Sequence, residues 1–280
     1  MSYSEVSKMK MAEELQRELC SINRKSYPAY KGLKGAYQFP DYQLFIEHVQ
    51  GDPFAAPSAL RIFVPHSKAK FPERYYWDKC SKVALQDALL RRFAEISAKF
   101  CYQAKGSGKS GVIQVSHCGQ EVLERTACEI TKEGIHIRFF VGFPANGRTI
   151  NSGELEKILF VYLPKCVEMS LYHRKVLERE TEQVICLKED QRVIREELKK
   201  RGLIAFVANG SILPRQSGNS DLPMKDAVPF QSPKSMEITI QLRHRGSITG
   251  MGIRKGITLI AGGGYHGKST LLEALEKGVY

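Results

Sequence analysis

The sequence predicts an α/β protein. Apolar and polar side chains alternate through residues 135–142, which is typical of a strand in a half-buried sheet. Apolar residues recur at intervals of three and four through residues 83–100, which is typical of an amphipathic helix. Residues 257–276 have the pattern of a strand, a glycine-rich turn and a helix in succession. Strands and helices that alternate in this way predict packed layers of sheet and helix.

The first half of the chain predicts short strands around one secure helix. A helix is expected over residues 4–20, and turn residues at Gly51, Asp52 and Pro53 separate two strand-like runs. The strands expected in this half cover residues 42–49, 60–64, 112–115, 122–130 and 135–142. The intervening helix over residues 83–100 carries its arginines away from the apolar stripe.

The second half predicts a long helical region and then a few strands. Residues 154–202 are expected to be mostly helical, with an interruption near Leu163 and Pro164 and with Gly202 as a C-terminal cap. An apolar strand over residues 203–208 precedes a proline-rich loop over residues 209–234. Further strands are expected over residues 236–242 and 257–261, and a helix over residues 271–276.

The composition fits a folded protein with a basic surface. The chain has 280 residues, with 42 Lys and Arg against 30 Asp and Glu, for a formal charge of +12. At roughly 150 residues per domain, this length predicts one large domain or two smaller ones. The charge is typical of proteins that contact polyanions such as RNA, DNA or nucleotides, and also of proteins with a solvated basic face.

Several features bear on where the protein works. No apolar run approaches the about 18 residues that a membrane-spanning helix needs, so no membrane contact is expected. The amino terminus lacks an apolar signal core and contains several glutamates, unlike a mitochondrial presequence. The seven cysteines are widely spread without a C-x-x-C spacing, which is typical of free thiols in a reducing compartment. We therefore expect a cytoplasmic or nuclear protein.

Two segments have open interpretations. Basic and aromatic residues interleave from Arg24 to Phe39, a mixture that can stack bases and hold phosphates or can simply pack tyrosines onto a neighbouring sheet. On the strand over residues 135–142, His136, Arg138 and Phe140 share one face. That face can meet a ligand or can be an ordinary solvated sheet face.

The strongest chemical signal is a phosphate-binding loop. The run fits G-x-x-x-x-G-K-[ST] and follows the expected strand over residues 257–261. We predict that it binds nucleotide phosphates through Gly262, Gly263, Gly264, Tyr265, His266, Gly267, Lys268, Ser269 and Thr270. Lys268 is expected to reach the β- and γ-phosphates, and the Ser269 hydroxyl to coordinate Mg²⁺. The cofactors predicted from this loop are ATP and Mg²⁺.

A second glycine-rich run, Gly106 to Gly111, imitates this loop. It carries Gly108-Lys109-Ser110, but Gln103 stands where the motif needs its first glycine. The run also follows a helix instead of a strand. We interpret it as a connector or an anion-binding turn and not as a second nucleotide site.

The chain resembles the family of predicted ATPases of the ABC class. The resemblance rests on the segments VQGDPFA (49–55), GQEVLER (119–125), NGSILPR (209–215) and the loop GGGYHGKSTLL with the ending ALEKGVY (274–280). It covers about Arg24 to Tyr280. Tyr265 stands where transporter ATPases usually have another glycine, so the resemblance is to the soluble family and not to a transporter subunit.

This resemblance implies two domains and a nucleotide-driven function. An amino-terminal α/β domain over residues 1–160, with possible RNA binding, is expected to precede the start of an ABC-class ATPase domain over residues 161–280. The second part comprises a helical lead-in, the proline-rich loop over residues 209–234 and the phosphate-binding loop over residues 262–270. Members of the family have been linked to RNA. The resemblance therefore implies that the complete protein is a homodimer that binds and hydrolyses Mg-ATP. It also implies that this activity is coupled to RNA binding or remodelling.

The resemblance leaves the enzymatic activity of this sequence open. The sequence continues for ten residues after Thr270, whereas an ABC ATPase continues with the metal-binding and general-base carboxylates and with the signature segment. We therefore expect the sequence to be the amino-terminal portion of such an ATPase, with no catalytic residue of its own. The alternative is a non-catalytic nucleic-acid-binding module with a vestigial nucleotide loop.

Overall fold

The computed structural model describes residues 9–220 and 222–278, without the side chains of residues 175–177. The described chain forms two compact units. The first comprises Met1–Cys118 and Leu123–Thr181, and the second comprises Gly119–Val122 and Glu182–Tyr280. The units change over between Thr181 and Glu182, within one helix. The domain boundary that the family resemblance places near residue 160 stays a prediction.

The first unit is built on a mixed sheet that has seven strands among the described residues. The strands are β1 (Lys10–Met11), β2 (Gly35–Gln38), β3 (Gln43–His48), β4 (Ser58–Pro65), β5 (Ile113–Gln114), β6 (Cys128–Ile130) and β7 (Gly134–Val141). Their order is β1-β2-β3-β4-β7-β5, and β6 also pairs with β7. Only β1 and β2 run parallel. The small hairpin of β8 (Ala145–Asn146) and β9 (Thr149–Ile150) stands apart.

Helices pack on this sheet. Buried and partly exposed side chains alternate along β4 and β7, as the sequence predicts, so each strand presents one apolar face for packing. The helices are α1 (Ala12–Ile22), α2 (His66–Ala69), α3 (Lys79–Ala98), α4 (Ser152–Glu156) and α5 (Leu163–Ser170), with a π-helical segment at Lys157–Tyr162. Asp78 caps α3 by accepting the backbone N–H groups of Cys80 and Ser81. Leu60, Ile137 and Phe139 from the strands and Phe93 from α3 are fully buried in the core. The confirmed strands and α3 therefore set the architecture of this unit.

The second unit is smaller and carries a three-stranded antiparallel sheet of order β10-β12-β11. Its elements are α6 (Lys175–Lys200), β10 (Leu203–Ala208), β11 (Glu237–Gln241), β12 (Ser247–Arg254) and α7 (Lys268–Lys277). Gly202 ends α6 at a φ of 66°, as its predicted capping role requires. The described residues of 209–233 contain no helix or named strand, and a short 3-10 helix begins at Lys234.

A buried carboxylate fixes the turn between β11 and β12. Asp190 on α6 is buried, and its Oδ1 accepts the backbone N–H groups of Arg243 at 3.0 Å and His244 at 2.9 Å. The neighbouring Glu189 lies 2.6 Å from His244 Nε2. This hydrogen bond to His244 holds the pKa of Glu189 below its ordinary value. The carboxylates of Asp190 and Glu189 therefore both attach the turn at Arg243 and His244 to α6.

Four expectations about individual elements are wrong or need new limits. The helix expected over residues 4–20 begins at Ala12, and residues 1–8 lie outside the described chain. Only Cys128–Ile130 of the strand expected over residues 122–130 pairs with a neighbour. The helix is not interrupted at Pro164, because a π-helical turn accommodates the proline, and the break follows Ser170. Residues 257–261 are not a strand, since no described strand pairs with them, and Ile257 and Leu259 are exposed.

The basic and aromatic segment of residues 24–39 packs its rings inside the first unit. Tyr27, Tyr30, Tyr37 and Phe39 are all buried. The Tyr27 hydroxyl donates to the carbonyl of Phe143 at 3.0 Å, and the Tyr30 hydroxyl donates to that of Pro144 at 2.7 Å. The packing interpretation is confirmed, and these rings are not available to stack bases.

On the sheet face with His136, Arg138 and Phe140, the polar side chains pair with other side chains of the same sheet. Arg61 Nη1 lies 3.2 Å from His136 Nδ1, and Arg138 pairs with Glu129 at 3.0 Å. Burial, and then the charge of Arg61, lower the pKa of His136 to about 4. The histidine is therefore neutral at physiological pH, and both arginines are already engaged.

The lowered pKa of His136 predicts an acid-sensitive stability. The unfolded chain takes up a proton near the ordinary pKa of 6.5, and the folded chain does so only near 4. The contribution of His136 to the free energy of unfolding is therefore complete above pH 6.5, and it is lost as the pH falls towards 4. We expect His136→Gln to reduce the slope of unfolding free energy against pH in this window, measured by urea titration. His48→Gln, on the exposed end of β3, controls for the substitution, and an unchanged slope in His136→Gln would contradict the prediction.

Candidate nucleotide-binding site

The predicted phosphate-binding loop is a tight turn that leads into α7. Two residues of the turn, Tyr265 and Gly267, have left-handed backbone conformations, with φ values of 61° and 73°. Glycine adopts this conformation without cost, whereas a side chain at Tyr265 is strained by about 1 kcal/mol. This strain explains in physical terms why a glycine suits position 265. The tyrosine ring itself points into solvent and is fully exposed.

Lys268 lies across the loop and holds it closed. Its Nζ donates to the carbonyl oxygen of Gly262 at 2.7 Å and also to that of Gly263. An ammonium group has three donors, so one remains for a phosphate oxygen. The loop therefore contacts the Lys268 ammonium, which is predicted to contact the β- and γ-phosphates.

His266 also stabilises the same loop through a hydrogen bond. Its Nδ1 accepts the backbone N–H of Gly263 at 3.1 Å. The Gly263 amide is therefore hydrogen-bonded to the imidazole. The amides from Gly264 to Gly267 follow it along the turn. The sequence motif treats position 266 as variable and contains no signal for this role.

The amino terminus of α7 fits an anion. Its N-cap is Gly267, no side chain caps the first turn, and the described residues of that turn include no acid. The backbone N–H groups of Lys268, Ser269 and Thr270 come before the first N–H that bonds within the helix, Leu271 to the carbonyl of Gly267 at 2.9 Å. Unsatisfied donors and the helix dipole favour a phosphate at this position. Ser269 is exposed beside them, so its hydroxyl is accessible to a metal ion.

Apolar packing positions this helix on the small sheet. Val207, Met251 and Ile253 form a buried cluster on β10 and β12, and Leu271 and Leu275 of α7 pack against it. The two leucines are four residues apart and therefore share one helical face. The nine predicted residues Gly262 to Thr270 are contiguous, and the last three of them begin α7, which this packing anchors.

The second glycine-rich run, Gly106 to Gly111, is a structural connector whose amides are used inside the first unit. The N–H groups of Ser107, Lys109 and Gly111 donate to the carbonyl oxygens of Ala145, Pro53 and Gly142 at 2.7 to 3.0 Å. These donors cannot also surround a phosphate. The geometry agrees with the interpretation that this run is not a second nucleotide site.

Basic residues gather on the loops that this connector joins. Residues 24–27 run against residues 148–150, since the Arg24 N–H donates to the carbonyl of Ile150 and the Ile150 N–H to that of Lys25. The Ser107 hydroxyl accepts the Gly147 N–H at 2.9 Å, which adds the connector. We call the exposed cluster formed in this way the basic rim: Arg24, Lys25, Lys105, Lys109 and Arg148.

Two exposed aromatic rings accompany the basic rim. Phe54 is 62% exposed next to the connector, and Tyr102, whose backbone N–H donates to the carbonyl of Gly111 at 2.7 Å, is 59% exposed. Arg148 pairs with Asp52 at 3.0 Å, whereas the other four cations have no ion-pair partner among the described residues. Sequence reasoning missed this cluster, because its members come from three separate segments.

Comparisons with known proteins agree with these two parts of the chain. Residues 12–174 match the family described as the N-terminal part of ATPases of the ABC class, and residues 177–280 match the P-loop domain of ABC ATPases. An uncharacterized protein of Methanocaldococcus jannaschii is 33% identical over 101 residues, which are 32% of this chain and 22% of the relative. The match therefore spans about a fifth of that relative's length.

No helix in the described part of the chain combines the length and the apolar character that crossing a bilayer requires.

The phosphate-binding turn, its lysine and the following helix lie within the matched P-loop domain. The N-terminal match alone takes in more than half of the chain. The chain therefore belongs to the family of ABC-class ATPases.

Proposed function

We propose that the chain binds Mg-ATP at the turn from Gly262 to Thr270. The observation that carries this proposal is the Lys268 ammonium, which closes the turn beside the uncapped amino terminus of α7. Lys268 contacts the β- and γ-phosphates, and the amides of the turn and helix surround their oxygens. The Ser269 hydroxyl holds Mg²⁺, which supplies charge neutralisation when bound.

In the whole protein, we propose that nucleotide binding closes a homodimer and that hydrolysis reopens it, in the cytoplasm or nucleus. The family resemblance supports this part of the proposal. Lys268 stabilises negative charge on the phosphates during this cycle. The first unit couples this cycle to RNA binding or remodelling.

The basic rim supports RNA contact by the first unit. Its four cations without an ion-pair partner among the described residues attract phosphates, and Phe54 and Tyr102 offer exposed rings on which bases can stack. The hydrogen bonds that join the three loops hold these side chains on one edge of the unit. This arrangement replaces the buried tyrosines of residues 24–39 as the candidate surface.

Removing charge from the basic rim should weaken RNA binding. The triple variant Lys25→Ala, Lys105→Ala and Lys109→Ala should bind fluorescent oligouridylate at least about tenfold more weakly and reduce the salt slope of log Kd by about 2. Fluorescence anisotropy at several salt concentrations measures both quantities. The matched triple variant of exposed lysines elsewhere in the unit, Lys70→Ala, Lys132→Ala and Lys165→Ala, should bind like the wild type. Equal losses in the two variants would refute a localised surface.

The same assay separates the proposed function from a module with a vestigial loop. Coupling predicts that Mg-ATP changes the oligouridylate affinity, and that Lys268→Ala removes this change. RNA binding that depends on salt but not on ATP would instead support the non-catalytic module.

A further inference from the structure

The first unit contains a cavity that none of the nucleotide-loop residues lines. It has a volume of about 500 Å³ and opens among α1, the turn between β2 and β3, the π-helical segment and α5. Small-molecule sites usually occupy about 300–1,000 Å³, so the cavity has the size of a ligand site.

Aromatic rings form the walls of this cavity. Phe39 and Tyr42 stack with ring centroids 4.8 Å apart and an interplanar angle of 12°, and Phe160 lies 5.4 Å from Phe39. Phe39 and Tyr42 are almost completely buried, so this wall is fixed in place. Phe160 is only partly buried, so a flat apolar group can pack against its ring.

An unusual backbone segment presents Phe160 at the cavity. Phe160 lies in the π-helical segment Lys157–Tyr162, and Pro164 follows four residues later. Proline has no N–H and cannot donate to the carbonyl four residues earlier, which is that of Phe160. The wider π-helical turn accommodates this missing bond, and such turns occur frequently at functional sites.

The charged residues that line the cavity are mostly acidic. Glu13, Asp41 and Glu168 contribute carboxylates, and Arg174 is the one cation of the lining. Arg174 pairs with Glu168 at 2.7 Å, and Lys68, outside the lining, pairs with Asp41 at 2.7 Å. Glu13 has no ion-pair partner among the described residues. The cavity thus carries net negative charge in a chain whose formal charge is +12.

The two tyrosines of the wall are neutral hydrogen-bonding groups. Burial raises the pKa of Tyr172 to about 12 and that of Tyr42 further still. The Tyr42 hydroxyl is buried and has no hydrogen-bond partner among the described residues. The Tyr42 hydroxyl is enclosed by protein, whereas Tyr172 is only partly buried and is the tyrosine of the lining that a ligand can contact.

We propose that this cavity binds a small organic cation with a flat apolar body. The apolar body packs against the partly accessible ring of Phe160, and the protonated nitrogen lies near the carboxylate of Glu13. The negative lining disfavours an anion of the same shape, including a nucleotide phosphate. This site is independent of the phosphate-binding loop.

Three indole compounds of similar shape test the charge preference. Tryptamine is cationic, tryptophol is neutral and indole-3-acetate is anionic at pH 7. We expect ligand-observed NMR with the full chain to show that tryptamine binds at least about threefold more tightly than tryptophol and that indole-3-acetate binds weakest. Binding in the reverse order, or none by tryptamine at millimolar concentration, would overturn the proposal.

Variants assign the binding to this cavity. Glu13→Gln, at an exposed position of α1, should weaken tryptamine about three- to fivefold and leave tryptophol unchanged. Glu95→Gln, on α3 away from the cavity lining, is the matched control and should change neither. Equal tryptamine affinity in wild type and Glu13→Gln would overturn the assignment of the charge. Phe160→Ala, which is checked for folding by circular dichroism, should weaken both compounds.

Discussion

Replacing Lys268 by alanine should weaken ATP binding about 10- to 150-fold, the range expected for losing one or more hydrogen bonds between charged groups. The Lys268 ammonium lies across the turn, where it holds the carbonyl of Gly262 at 2.7 Å and keeps one donor for the phosphates. Without it, the turn also loses the group that closes it. Isothermal titration calorimetry with Mg-ATP measures the affinity directly.

The matched control for this variant lies on the same helix. Lys277→Ala removes the same charge at the carboxyl end of α7, where Lys277 is exposed. This variant should bind ATP like the wild type, with an unchanged circular dichroism spectrum. If both substitutions weaken ATP equally, net charge and not the position of Lys268 would determine the affinity.

Replacing Gly250 by alanine should destabilise the second unit by about 2–3 kcal/mol. Gly250 is on β12, opposite Ala208 of β10 and Ile238 of β11. A Cβ atom there would lie 2.2 Å from the Val207 carbonyl oxygen and 2.7 Å from the Ala208 Cα. Backbone cannot move aside as a side chain can, so the pairing of β10 with β12 must open.

Gly218→Ala is the control for this substitution, because a Cβ at Gly218 meets nothing within 4 Å. Hydrogen–deuterium exchange should show faster exchange for β10 and β12 in Gly250→Ala, with β4 and β7 of the first unit unaffected. Nucleotide affinity should fall as well, since α7 packs on Met251 and Val207. A variant as stable as the wild type would show that the two strands are not held at this separation.

The elements that could be predicted are those with local patterns. The strand over residues 203–208, the alternation through residues 135–142 and the amphipathic helix α3 depend on side-chain periodicity alone. The phosphate-binding turn was predictable for the same reason, because its glycines, lysine and helix start are contiguous. Gly202 likewise signals the end of α6 locally.

The remaining features depend on contacts between distant residues. The pattern of residues 257–261 is strand-like, but a strand also needs a neighbour for its backbone hydrogen bonds, and none pairs with it among the described residues. The rings of Tyr27 and Tyr30 are buried, and their hydroxyls donate to carbonyl groups more than 100 positions later in the sequence. The basic rim, the lowered pKa of His136 and the aromatic cavity arise only when separate segments meet.

The most direct test of nucleotide binding at this turn is an NMR titration of the backbone amides with adenosine, AMP, ADP and ATP. We predict that the amides from Gly264 to Ser269 shift with ADP and ATP, that AMP shifts them less, and that adenosine leaves them unchanged. The β-phosphate is then the group that the turn and Lys268 recognise. Shifts that are the same for adenosine and ATP, or that avoid this turn, would contradict the proposed site.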